Sequence, residues 1–467
     1  MSFRIFVECT AISKKTKITG IPRVTLEYLR AGYRFGHSEK LSVVPVTVTE
    51  RGIFDARHKL PAWFRQCPDF DASLRIKDRI TDYRNARLKR IFGSIGAALS
   101  LVAADILPLA WGKTKPRRLA EKLRARSKAR REASQLALKI DPKPGDVLFM
   151  PAWWHDNPPS AYASLLAARM IVVPLVHDAL PLTMPHHYQL PVWFRAHFLT
   201  TLSMASHVMH VSRQTREDVE AIMMAENLKI PEGSIAYNGY NFSPSSNRRA
   251  IRDGLSARFG GGRINIIMVG SLEPKKNYQF VLDSCERLWR AGATFNLLIF
   301  GRKAWMYQDL VKTLNTHPRR NGQLFWFSDA SDVELQFAYE NADLCLSASL
   351  AEGFGLPVVE ALAHKLPVVI SDIPVYREIA AASACYFDPT SEASFTSALT
   401  KAMNEPEFLA ELRAKAENFR WKSWEECGDE VFRKLKSLHD GQNLAGSGRD
   451  IASGPEIGPV PAISAPA

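Results

Sequence analysis

The sequence predicts an α/β protein built from two Rossmann-like units that face each other. Three observations carry this. Short apolar runs alternate with helical patterns toward both ends of the chain, the signal of parallel sheets. The 467 residues are too many for one ordinary core. Between the halves, residues 238–262 are rich in Ser, Asn and Gly, including FSPSSN and FGGG, and read as a linker.

In the first half the apolar runs place strands at 4–9, 41–48, 147–150, 170–177 and 207–211. In the second half they place strands at 264–269, 295–300, 324–327, 344–347, 367–370 and 385–387. The expected boundaries are an N-terminal domain over 1–245, a linker over 246–262 and a C-terminal domain over 263–418. A helix over 419–439 is expected to return to the first domain. From about Asp440 the Gly-, Ala-, Pro- and Ser-rich tail reads as disordered. In such sheets ligands sit at the carboxyl ends of the strands, here in the cleft between the units.

Residues 51–143 break the alternation and read as a basic helical insertion. Basic tracts from Arg75 to Arg90 and from Lys113 to Arg131 flank an apolar stretch, Ile91 to Trp111. That stretch reaches the ~20 residues of a membrane span, but Gly93, Gly96, Asp105 and Pro108 interrupt it. Three readings stand for it: helices packed over the domain, attachment to an anionic membrane surface through 75–131, or a span.

The net charge of +13 favours anionic partners such as nucleotides or anionic lipid, and no nucleic-acid signature accompanies it. The six cysteines form no CxxC pair. Cys9, Cys345 and Cys385 lie in apolar runs and read as buried thiols, which suits a reducing cytoplasm. The N-terminal MSFRIFVECT enters a strand pattern at once, so no signal peptide is expected.

The most telling segment runs from Glu352 to Glu360, EGFGLPVVE, with two carboxylates seven intervening residues apart. Pro357 suits a helix start, Gly353 and Gly355 permit close backbone approach, and unpaired N–H groups at a helix N-terminus suit a diphosphate. The second domain opens with VGSLEPKKN at 269–277, a strand, a turn and paired lysines. Lys275 and Lys276 stand where a diphosphate could be neutralised. Asp69-Phe-Asp71 forms a DxD away from any nucleotide strand, and no metal spacing supports His186 and His187, which read as surface or acceptor-side residues. Trp153 and Trp154 suit either buried packing or stacking on sugar or lipid. Asp178 suits a turn cap.

These motifs, with FGRKAW at 300–305, Ser331-Asp332 before Glu334-Leu335, SDIPVYRE at 371–378, TGIPR at 19–23, VHDALP at 176–181 and VSRQTRED at 211–218, occur in a familiar order. The chain thereby resembles the retaining glycosyltransferases of family four, of the GT-B fold, in their mannosyltransferase-like subgroup. The resemblance spans nearly all of 1–435 except the insertion. It implies that Glu352 contacts donor sugar hydroxyls beside the backbone of Gly353, Phe354, Gly355 and Leu356. It implies that Glu360 grips the ribose, Lys276 with Lys275 holds the diphosphate, Gly20 leaves room for it, and His177 lines the reaction centre. It implies no metal and no cofactor, the donor being a GDP- or UDP-linked hexose, with mannose as the guess. The acceptor would be a lipid-linked or polysaccharide glycan, and the enzyme would sit on the inner face of the cell membrane. A non-catalytic scaffold of an assembly complex and a phosphorylase of the same fold are the rivals. Three positions depart from the family pattern: Ser271 where an Arg is common, Lys365 where a Gly follows the helix, and Ala304 in place of Gly before Trp305.

Overall fold

The computed structural model describes residues 3–13, 20–49, 51–61, 64, 139–152, 160–189, 193–240, 251–259 and 262–446. Asp69, Asp71, Trp153, Trp154 and the basic and apolar tracts of 75–131 lie outside these residues.

Eight strands form the first sheet: β1 (Arg4–Glu8), β2 (Ser42–Thr49), β3 (Gly52–Asp55), β4 (Lys139–Ile140), β5 (Val147–Met150), β6 (Ile171–Val176), β7 (Val208–His210) and β8 (Gly233–Ile235), in the order β4-β3-β2-β1-β5-β6-β7-β8. From β2 to β8 it is parallel. Six strands form the second sheet: β9 (Ile264–Val269), β10 (Phe295–Phe300), β11 (Leu324–Phe327), β12 (Leu344–Ser347), β13 (Val368–Ser371) and β14 (Ala384–Phe387), in the order β11-β10-β9-β12-β13-β14, all parallel. The inner strands are mostly apolar because helices cover both faces of a parallel sheet. All six residues of β6 and of β10 are buried.

The alternation misses three strands. β3 and β4 lie at the two ends of the insertion, paired antiparallel at the sheet edge, so 51–143 is not wholly helical as expected. β3, β4 and β8 have four, two and three residues, too few to show a period. Within the expected linker, a short helix Asp253–Ser256 belongs to the second half. Arg252 beside it binds Asp329 at 3.0 Å and Glu334 on the helix Asp332–Asn341 at 2.5 Å. Cys9 and Cys345 are buried and Cys385 is half-buried, all as free thiols.

The last helix, Trp424–Gly446, runs past the point where the disordered tail was expected to begin at 440. It packs on the helix Ile21–Glu39 of the first half. Phe432 is fully buried against Phe149 and Phe35. A Cβ on Gly32 would lie 2.4 Å from the Phe432 ring, so Gly32 makes the space for it. Among the described residues no helix is long and apolar enough to cross a membrane.

Candidate active site

Each sheet reverses its strand order beside its first strand, where the loops diverge and leave a crevice. In the second sheet the crevice lies between β9 and β12. The loop after β9 carries Glu273, Lys275 and Lys276, and the loop after β12 carries Ser349 and Glu352. Residues that are 76 and 77 apart in sequence thus meet: Lys275 Nζ lies 3.1 Å from Glu352 Oε2, and Lys276 Nζ bonds Glu352 Oε1. Ser349 Oγ donates to the same carboxylate at 2.7 Å. All three charged side chains are at least seven-eighths buried.

Burial alone would raise the Glu352 carboxyl. The Lys275 and Lys276 ammonium groups outweigh it and hold the group at about 2. Burial would likewise depress Lys275, but Glu352 and Asp178 keep it well above the ordinary lysine range. Glu273 shares the cluster without a comparable pairing. Burial pushes it up to about 7, opposed by the two lysines and reinforced by Glu352 and Asp178. Asp178 is also raised by burial, and its Oδ1 accepts the Leu180 N–H at 3.2 Å, the expected turn cap. The lysines expected to face a diphosphate are therefore anchored on the carboxylate expected to face the sugar.

The backbone of the Glu352 loop has little freedom. Gly355 has φ +97°, and a Cβ there would stand 2.6 Å from the Tyr376 ring. A Cβ on Gly353 would stand 1.7 Å from the His177 carbonyl oxygen. Only glycine fits either position. Gly355 caps the helix Leu356–Ala363. Among the described residues, no intramolecular hydrogen bond engages the N–H groups of Gly353, Phe354 or Gly355. The Phe354 ring is buried beside Tyr237 and Trp421.

Glu360 lies on that helix, and Tyr339 donates to its Oε2 at 3.0 Å. Burial raises its pKa, against the pull of Arg23 and Tyr339. Arg23 belongs to the helix Ile21–Glu39, which starts after Gly20, so the Gly20 turn and Glu360 share one part of the cleft. Gly20 has φ +60° and open space where a Cβ would be. His177 follows β6, and its Nε2 lies 2.7 Å from the Pro151 carbonyl. A carbonyl only accepts, so Nε2 carries the proton. Burial lowers this imidazole to about 4, leaving it neutral at pH 7.

Further contacts join the halves. Ser212 and Thr215 donate to the Gly353 carbonyl at 2.7 and 3.2 Å. The Arg213 N–H and Tyr237 hydroxyl meet Glu378 at 2.9 and 2.8 Å. The Trp305 indole donates to the His187 carbonyl at 2.8 Å, and its ring stacks on Tyr188. His186 and His187 adjoin this contact, and among the described residues no group of His, Cys, Asp and Glu could hold a metal ion. Sequence reasoning did not single out Ser349, Ser212, Thr215, Glu273 or Tyr339 as site residues. Ser349, three residues before Glu352, and Glu273, two before Lys275, were within reach of a local reading, whereas the others come from distant segments.

Residues 256–419 match the family model described as glycosyl transferases group 1. This segment is similar to glycosyl transferases group 1. The chain is 34% identical over 289 residues to a serotype-specific mannosyltransferase WbdA of Escherichia coli, covering 58% of this chain and 34% of that protein. It is 27% identical over 238 residues to the O-antigen chain mannosyltransferase RfbU of Salmonella typhimurium, covering 50% of this chain and 62% of that one. The chain thus spans about a third of the length of its WbdA relatives. Among solved structures it resembles Anabaena Alr3699/HepE, a complex with UDP and glucose, at TM-score 0.55 and 15% identity, covering 93% of this chain and 100% of that one. It also resembles the alpha,alpha-trehalose 6-phosphate synthase of Burkholderia multivorans, at TM-score 0.51 and 16% identity over 73% and 79% of the two chains. At such identities the likeness is one of fold, the GT-B arrangement.

Proposed function

We propose that this chain is a retaining hexosyltransferase that moves a sugar, mannose in our reading, from a nucleotide diphosphate donor to a lipid-linked or polysaccharide acceptor of a cell-surface glycan. The observation that carries it is the Glu352–Lys275–Lys276 assembly at the second-sheet crevice, beside N–H groups that no described residue engages. The mannosyltransferase relatives support the reaction class and the choice of sugar.

The chemistry follows from charge. As the bond from the anomeric carbon to the diphosphate breaks, negative charge grows on the leaving oxygen. The Lys276 ammonium and the N-terminus of the helix Leu356–Ala363 would stabilise that charge. A diphosphate and a carboxylate are both anionic oxygen acceptors, so Lys276 can exchange one for the other while Lys275 continues to hold Glu352. Glu352 then presents acceptor oxygen to sugar hydroxyls, and the second Glu360 oxygen is available to the ribose. The acceptor hydroxyl attacks the face that the diphosphate leaves, and its proton passes to the departing diphosphate. In this reading no metal takes part. The basic tracts of 75–131 would place the enzyme against an anionic membrane surface on the cytoplasmic side.

A thermal-shift panel of UDP, GDP, ADP and their sugars tests the donor, followed by transfer assays with and without EDTA. A wild-type chain stabilised by none of these ligands sinks the proposal, and loss of transfer in EDTA sinks its metal-free part.

A further inference from the structure

We infer that Ser212 and Thr215, residues of the first half, are positioning residues for the donor loop of the second: together they hold the Gly353 carbonyl and so aim the Phe354 N–H. This rests on the donor-site reading above.

Ser212 is fully buried and caps the helix Arg213–Ala225, accepting the Thr215 N–H at 3.1 Å. Its single proton donates to the Gly353 oxygen at 2.7 Å, and the Thr215 hydroxyl lies 3.2 Å from that oxygen and 3.0 Å from the Ser212 hydroxyl oxygen. A carbonyl offers two lone pairs, enough for both hydroxyls. The same peptide is confined from the His177 side, where the carbonyl oxygen would lie 1.7 Å from any Cβ on Gly353. All peptides among the described residues are trans. In a trans peptide the C=O and the following N–H point in opposite directions. Fixing the Gly353 carbonyl toward the Arg213–Ala225 helix therefore fixes the Phe354 N–H away from it. No described residue engages that N–H.

The helix end is itself anchored. The Arg213 N–H donates to Glu378 at 2.9 Å, and Glu378 also accepts from Tyr237 at 2.8 Å. The two hydroxyls thus stand on a fixed base, and the loop that adjoins Glu352 takes its orientation from the opposite domain. Glue between the halves would serve any ligand equally. A peptide aimed at the sugar serves the sugar alone, which separates the two accounts.

The test uses the full chain and three variants. Thr215→Val keeps the shape and the capped N–H but removes one hydroxyl. Ser212→Asp keeps an N-cap acceptor but cannot donate when ionised. Ser212→Thr keeps both functions. Calorimetry reads the affinities for GDP and GDP-mannose, with UDP and UDP-glucose as the second pair, and kinetics reads kcat and KM. The expected result is that Thr215→Val and Ser212→Asp each weaken the nucleotide sugar about tenfold, leave the bare nucleotide unchanged, and that Ser212→Thr behaves as wild type. Equal weakening of both ligands, or no change in either, overturns the inference while the donor-site reading stands. A wild-type chain that binds no nucleotide sugar removes that reading, and this inference with it.

Discussion

The two crevices of this molecule have the same topology, and each buries a carboxylate at a strand end. In the first sheet the reversal lies between β1 and β5. The buried Glu8 at the end of β1 is met there by hydroxyls, from Thr10 at 3.0 Å and Tyr162 at 3.3 Å. Nearby, after β6, the His177 ring is neutral and tied to a backbone carbonyl. In the second sheet the reversal lies between β9 and β12, and the buried Glu352 is met by two ammonium groups. Hydroxyl partners hold a carboxylate in place but bring no charge that could pass to a ligand. Ammonium partners do bring it, and can exchange a carboxylate for a phosphate. In the second crevice the partners of the carboxylate are thus charges that an anionic ligand could take over, while the facing half meets the same loop with hydroxyls, at the Gly353 carbonyl.

The largest expected effect breaks the charged crevice. Glu352→Gln keeps the shape but removes the carboxylate bonded to the buried Lys275, which should cost about 3–5 kcal/mol of stability. Transfer should fall by roughly two to three orders of magnitude, as for loss of one preorganised electrostatic group. Denaturant titration and steady-state assays measure the two. Stability within 1 kcal/mol of wild type, by that ~1 kcal/mol mark of an exposed pair, would falsify the charged-crevice account.

The next prediction concerns Glu273. Its folded pKa, about 7, lies above the ordinary value of 4.5. Between those values the folded state binds more protons than the unfolded state, so this group makes stability fall as pH rises. Glu273→Gln should remove that slope, raising the melting temperature more at pH 8 than at pH 5. An equal shift at both pH values would mean that Glu273 does not titrate in this window.

The smallest effect sharpens the comparison by testing the scaffold outside the charge cluster. Lys365 has φ +66°, the left-handed region. The Leu366 N–H bonds the Ala361 carbonyl and the Lys365 N–H bonds the Leu362 carbonyl, both at 3.0 Å, a Schellman ending of the helix Leu356–Ala363. Lys365→Gly should relieve about 1 kcal/mol of backbone strain, less the loss of the weak bond from Lys365 Nζ to the Phe419 carbonyl at 3.3 Å. A small rise in the chemical-denaturation midpoint, with donor KM unchanged, is the expected outcome. A drop would show that the side-chain bond outweighs the strain. The family pattern has Gly here, and the turn keeps its geometry without it.

Much of the scaffold was legible in the chain. The expected strands at 264–269, 295–300, 324–327 and 344–347 coincide with β9, β10, β11 and β12, because each is a short apolar run bounded by turn residues. β3, β4 and β8 were not legible, since such short strands owe their conformation to the neighbours they pair with. The Glu352 loop was found from Gly353, Gly355 and Pro357, whose backbone requirements are local. The destination of the lysines was not found. They were read as facing a diphosphate, and their pairing with Glu352, 76 and 77 residues away, was not read.

The residue types and their local order thus determined the two parallel sheets, the glycine loop, the helix start behind it and the presence of lysines and carboxylates at strand ends. Only the tertiary structure decided which charge meets which. Strand order places the loops after β9 and β12 side by side, and the facing half supplies Ser212, Thr215 and the His177 carbonyl to the Gly353 peptide. The reason is physical. Backbone geometry depends on neighbours in the chain, whereas the protonation of Glu352 and Glu273 depends on burial and on charges brought close from segments far away.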